Sequence, residues 1–238
     1  MGERLANPPL IETVCDFRFH EDTPWDWSIP GRLYDRIERG FPFREDVRQN
    51  PNKSEAVTTT RLRFMTEDGS RVVQCGPRLL AVNQLYNYTG WSDFRAFVVD
   101  VFQIHWQLLE DPRLARVGLR YINRIRFAEG ERPADKLTVF PSFPSALDRP
   151  VRSFIQRYEL GFDEEPEGTL VHQSGTAPDE EGRIALMLDL EHVSEHVERL
   201  ADRQELETWL DTAHDRIYAA FAVSTSIESD PHVKEGCS

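Results

Sequence analysis

The chain has 238 residues, 39% of them hydrophobic and 29% charged, with a formal net charge of -13, so it is long enough for a substantial core but poorly suited to nonspecific attraction to nucleic acid or anionic membrane. Its 14 Phe, 6 Tyr and 5 Trp argue against disorder. No apolar run approaches the ~20 residues of a membrane span, and the opening M-G-E-R-L-A-N-P-P-L lacks a signal-peptide pattern, so a cytoplasmic protein without a membrane partner is expected.

Ile11 to Phe19 alternates between apolar and mostly polar residues, the pattern of a half-buried strand. Pro30 then opens a short helix over roughly 30–40, with Leu33 and Ile37 on one face. Residues 44–56 read as a polar loop. Three strands follow: Thr58–Met65, Arg71–Cys75 across an Asp68-Gly69 hairpin, and Leu79–Tyr86 after a Gly76-Pro77 turn. Ser92 is a candidate cap for a helix to about Leu109, whose Phe94, Phe97, Val98, Val101, Phe102 and Leu108 recur at helical steps. The second half opens with a strand at Arg116 to Phe127. A proline-rich connection with a short helix near 134–140 comes next, then strands near 151–161, 168–175 and 183–192. A final helix is capped by Asp202, with Glu205 three residues on.

The order is strand, short helix, three-strand meander and long helix, then nearly the same again. This predicts an α+β protein: an antiparallel sheet with two long helices on one face. The pattern divides as 1–112 and 113–226, within one continuous domain, followed by a frayed tail at 227–238. Such a saddle is similar to the TATA-binding-protein fold or to effector-binding domains, a likeness of fold that carries no function. Open antiparallel sheets leave edges, through which a homodimer can form.

The strand G-L-R-Y-I-N-R-I-R raises the main functional question. Val117, Leu119, Tyr121, Asn123, Ile125 and Phe127 share one parity, whereas Arg116, Arg120, Arg124 and Arg126 share the other. With the apolar parity toward the helices, four guanidinium groups line the open face and need neutralising. Acidic residues of the same chain are the default partners; a phosphate or carboxylate ligand, a nucleic acid, or the acidic surface of another protein are the alternatives. Asn123, on the core side, reads as a satisfied structural amide. Asn83 and Tyr86, with Trp91, are candidates to line a pocket beside the sheet.

H-V-S-E-H matches the inverted zinc-protease pattern H-x-x-E-H. On a helix His192 and His196 would share a face, with Glu195 as general base of a metal-dependent hydrolase. The motif directly follows a predicted strand and no third ligand stands out, so a polar connecting turn is the preferred reading. No glycine-rich phosphate loop, nucleophile elbow or zinc-finger cysteine set is present, and no cofactor or catalytic residue is expected. The function expected is nonenzymatic binding of another protein through the open sheet face. Nucleic-acid binding through the arginine stripe is the first alternative, and the metal-dependent hydrolase the second.

The segments N-P-P-L-I-E-T-V-C-D-F-R-F, V-Q-C-G-P-R-L-L-A-V-N-Q-L-Y, Gly90-Trp91, G-L-R-Y-I-N-R-I and A-H-D-R-I-Y-A-A-F occur in this order over almost the whole chain. In them the chain resembles a sporadically distributed, functionally uncharacterised prokaryotic family. The resemblance implies no activity or catalytic residue; its patchy distribution implies an accessory role in mobile or defence-related loci.

Overall fold

The computed structural model describes residues 9–49, 58–127, 136–138, 153–178, 183–195 and 197–225. The predicted tail at 227–238, His196 and most of the predicted helix near 134–140 lie outside these. The strands are β1 (Leu10–Phe19), β2 (Phe43–Gln49), β3 (Thr58–Met65), β4 (Arg71–Gly76), β5 (Leu79–Gln84), β6 (Leu114–Ile125), β7 (Ile155–Phe162), β8 (Gly168–Pro178) and β9 (Ile184–Glu195). The α-helices are α1 (Ser28–Ile37), α2 (Trp91–Trp106) and α3 (Arg203–Ser224), the last preceded by a 3-10 turn at Glu198–Ala201. The strands form one open antiparallel sheet in the order β2-β3-β4-β5-β1-β6-β9-β8-β7, which bears out the α+β class.

The chain divides into two compact units built from discontinuous segments. The larger holds Glu12–Leu119 and Val193–Asp211; the smaller holds Met1–Ile11, Arg120–His192 and Thr212–Ser238.

In the larger unit the core forms where the predicted periodicities meet. Thr13, Cys15, Phe17 and Phe19 of β1 are buried, and Phe17 stacks on Phe102 of α2 at 4.4 Å between ring centroids. Phe94, Phe97, Val98, Val101 and Phe102 are all buried, as the helical spacing requires. α1 packs through Tyr34, whose ring lies 5.4 Å from Phe64 of β3, and Phe41 stacks on Phe97 at 5.7 Å. Cys15 and Cys75 are free, buried thiols; burial pushes the Cys75 thiol up to about 12, so both act as small apolar residues.

Local chemistry fixes the turns. At the β3–β4 hairpin Gly69 takes φ 70°, and Asp68 Oδ1 accepts bonds from the Thr66 hydroxyl and from the Ser70 amide and hydroxyl. These donors hold the Asp68 carboxyl down at about 2. α2 begins two residues earlier than a Ser92 cap would place it, at Trp91 after Gly90, and Ser92 does not cap it. Asp202 does cap α3: its Oδ1 accepts the amides of Gln204 at 2.8 Å and Glu205 at 3.1 Å. An Asp202→Ala variant is expected to lose about 1 kcal/mol, read as a lower denaturant midpoint with an unchanged slope.

One expectation is corrected. Part of the polar loop at 44–56 is β2, an edge strand in antiparallel register with β3 from Phe43↔Met65 to Gln49↔Thr58. Its sequence F-R-E-D-V-R-Q leaves every residue from Phe43 to Asp46 exposed, so it carries no alternation for a periodicity argument to find.

In the smaller unit Leu186, Leu188 and Leu190 of β9 are fully buried, together with Ala213 and Ile217 of α3. Asn123 is buried on the core parity and donates from Nδ2 to the Leu188 carbonyl at 3.3 Å, the structural amide expected of it.

Candidate binding face

β-strand parity places Glu12, Val14, Asp16 and Arg18 of β1 on the face away from Phe17 and α2. The interstrand register carries that face across the larger unit. Asp16 pairs with Ala81, Ala81 with Gln74, and Gln74 with Arg63. Val14 pairs with Asn83, Asn83 with Val72, and Val72 with Met65. Arg18 pairs with Leu79 and Leu79 with Gly76. The next residue outward is Arg61: a Cβ built on Gly76 would lie 2.8 Å from Arg61 Cβ and 2.6 Å from the Thr60 carbonyl oxygen. Only glycine lets β3 approach this closely, so the Arg61 stem lies over a floor with no side chain of its own.

The polar groups on this face are linked. Gln74 Nε2 donates to Asn83 Oδ1 at 3.0 Å, and Asn83 Nδ2 donates to Glu12 Oε1 at 2.7 Å. Asp16 Oδ2 accepts both Arg116 Nη1 at 2.8 Å and Arg18 Nε at 3.0 Å. Arg63 Nη1 lies 3.6 Å from Glu45. The Arg61 side chain has neither a hydrogen bond nor an ion pair among the described residues, and its Nε is buried without a partner. Three carboxylates therefore stand among four arginines, with Asp16 shared by two of them.

Two arginines of β6, Arg116 and Arg120, are answered by carboxylates of the same chain. Arg116 is held by Asp16 in the larger unit. In the smaller unit Arg120 makes a two-pronged contact with Asp189, its Nε lying 2.7 Å from Oδ1 and its Nη2 meeting Oδ2. Arg124 donates its backbone amide to the Pro9 carbonyl at 2.7 Å. Arg126 is exposed and lies beyond the end of the strand. Internal pairing, the default reading, holds for Arg116 and Arg120. Arg120→Ala is expected to lose about 1–2 kcal/mol, since it strands a carboxylate that is only 15% exposed. Arg120→Lys should recover only part of that in chemical denaturation, because an ammonium cannot grip both oxygens.

Asn83 and Trp91 are not brought together. Asn83 lies on the open face, whereas Trp91 packs with Phe94 of α2 and donates Nε1 to Asp211 of α3 at 2.8 Å. Tyr86 is half exposed and its hydroxyl meets the Asp68 carbonyl at the β3–β4 hairpin.

H-V-S-E-H is not the connecting turn expected. β9 continues through Glu195, so His192 and Glu195 lie on a strand, three residues apart and on opposite faces. The helical geometry that pattern needs is absent from these residues. His192 is fully buried beside Arg216 of α3, whose Nη1 lies 3.3 Å from His192 Nε2 and donates to the Pro166 carbonyl at 2.7 Å. The Arg216 guanidinium also sits 4.1 Å from the Phe162 ring centroid. Burial, with the adjacent guanidinium, pulls the His192 imidazole down to about 4. Among the described residues no group of three His, Cys, Asp or Glu side chains could hold a metal ion.

Arg61 and Arg63 were not among the candidates read from the sequence. Their signal was there, in the alternation of R-L-R-F against a hairpin, but their neighbours on β4 and β5 follow from cross-strand register alone. No family model matches the chain, and no curated protein matches it. No described helix is long and apolar enough to cross a membrane.

Proposed function

We propose that the chain is a nonenzymatic binding protein that receives a carboxylate of an acidic protein partner on the open face of the larger unit. The observation carrying this reading is Arg61: a guanidinium without a described partner, lying beside the bare floor at Gly76 in the row that ends at Arg18. Three interstrand steps of about 4.8 Å separate Arg61 from Arg18 by roughly 14 Å, a span two extended arginine side chains can close on one ligand. A half-buried guanidinium with an unpartnered Nε is suited to a planar two-oxygen acceptor.

Protein is favoured over nucleic acid because Glu12, Asp16 and Glu45 are interleaved with the arginines. A row of phosphates would meet those carboxylates, whereas an isolated carboxylate need not. The pseudo-duplicated, saddle-like reading of the fold, membership of the sporadically distributed prokaryotic family, a cytoplasmic location and an accessory role belong to the same proposal.

The test uses as the probe a fluorescent peptide with capped ends that carries one glutamate in an otherwise uncharged sequence. It should bind the wild type and lose at least tenfold in affinity to an Arg18→Glu/Arg61→Glu variant that keeps the wild-type circular dichroism. Equal binding by both proteins would remove Arg61 and Arg18 from the interface. Binding of single- or double-stranded DNA that falls steeply with salt, and is lost on reversing Arg124 and Arg126, would replace this reading by the nucleic-acid one.

A further inference from the structure

The two edges of the sheet are built differently. β2, at one edge, carries Arg44, Glu45, Asp46 and Arg48 and a register shift between Val47 and Arg48. Charges and a bulge are the usual means of keeping an edge from pairing. β7, at the other edge, has neither safeguard to that degree. Its eight residues pair with β8 in unbroken register from Ile155↔Gly175 to Phe162↔Gly168. Among the described residues no strand covers its outer side. Ile155 is 80% exposed, Tyr158 47% and Leu160 52%, a concentration of exposed apolar side chains on one short strand.

The strand is also complementary to itself. Its centre reads Arg157-Tyr158-Glu159, and Arg157 and Glu159 already form an exposed ion pair at 2.8 Å on one face. Antiparallel pairing of β7 with a second β7 about a two-fold axis through Tyr158 would place each Arg157 opposite Glu159 of the other copy, twice. The same register sets Ile155 against Gly161, Leu160 against Gln156, and the two Tyr158 rings side by side. A shift by two residues would destroy both charge pairs, so the sequence selects one register.

We propose that this chain forms a two-fold dimer by antiparallel β7–β7 pairing centred on Tyr158, extending the sheet from one copy into the next. Main-chain hydrogen bonds along the edge hold the pair, and the Arg157–Glu159 crossings with the buried Tyr158, Leu160 and Ile155 side chains specify it. The occupant is a second copy because the complementarity is palindromic; a different protein would need no such symmetry.

Sedimentation velocity across the micromolar range tests this on the full chain. The wild type should run as a dimer. Arg157→Glu alone and Glu159→Arg alone each set like charges opposite one another twice, and each should weaken dimerisation at least tenfold. The combined Arg157→Glu/Glu159→Arg variant restores opposite charges across the axis and should dimerise again. If Arg157→Glu misfolds by circular dichroism, Tyr158→Lys, which opposes two ammonium groups at the axis, takes its place. A wild type that stays monomeric at the highest concentration, or single reversals that remain dimeric, or a combined variant that stays monomeric, would overturn the proposal.

Discussion

Stability is expected to fall steeply as the pH drops from 6.5 toward 4, because two fully buried histidines take up a proton in the fold only near pH 4. His105 on α2 is 1% exposed, its ring 5.3 Å from Phe19, and neither ring nitrogen has a described partner. Burial pulls it from 6.5 down to about 4, and burial beside Arg216 does the same to His192. Both are neutral in the folded and unfolded states above pH 6.5, where they contribute no pH dependence. Between 6.5 and 4 the unfolded chain binds protons that the fold refuses, so unfolding is favoured progressively. Below about 4 both states are protonated and the effect is complete.

At about 1.4 kcal/mol per pH unit, each histidine withdraws about 3 kcal/mol across that window. That is a large share of the ~5–15 kcal/mol typical of a domain. His105→Leu removes a buried imidazole without partners. The variant should be about 1 kcal/mol more stable at neutral pH and should lose part of the acid sensitivity, the rest remaining with His192 and with His172, which burial also lowers. Thermal midpoints measured as a function of pH for both proteins check this; parallel curves would contradict it.

The second large effect is expected at Trp209. It is 2% exposed on α3 and donates Nε1 to Ser194 Oγ of β9 at 2.9 Å. Both residues belong to the larger unit, where α3 is also tied to α2 by Arg95 with Glu207 and by Trp91 with Asp211. Trp209→Ala should cost about 3–5 kcal/mol, the transfer of the ring plus the cavity it leaves. Trp209→Phe keeps most of the apolar surface but not the indole donor, and should cost about 1–2 kcal/mol. Ser194→Ala should cost about 1 kcal/mol alone and almost nothing in the Trp209→Phe background, a coupling that chemical denaturation of the four proteins would reveal.

The sequence conveyed the parts of the fold that rest on local chemistry. The alternation in β1 and β6, the apolar stripe of α2, the Asp202 cap and the Asp68-Gly69 turn are each decided by residues within one element, and each is where it was expected. β2 was missed because an exposed edge strand has no buried parity. The H-V-S-E-H segment was misplaced because β9 runs five residues past Leu190, held by side chains that match partners elsewhere, Ser194 with Trp209 and His192 with Arg216. The arginines of β6 were visible at once, but their carboxylates, Asp16 and Asp189, lie 100 and 69 residues away in the chain. Register, not periodicity, brings them together. The same limit hid Arg61, whose importance depends on Gly76 beneath it and on Arg18 three strands away.

The claim that the open face of the larger unit is the binding surface is tested most directly by the arginine side-chain Nε–Hε resonances. They are followed by NMR while the single-glutamate peptide is titrated into the full chain. Saturable shifts of the Arg61 and Arg18 signals, with Arg157 and Arg203 unmoved, are the predicted result. Shifts spread evenly over exposed arginines, or confined to residues away from Arg61 and Arg18, would contradict it.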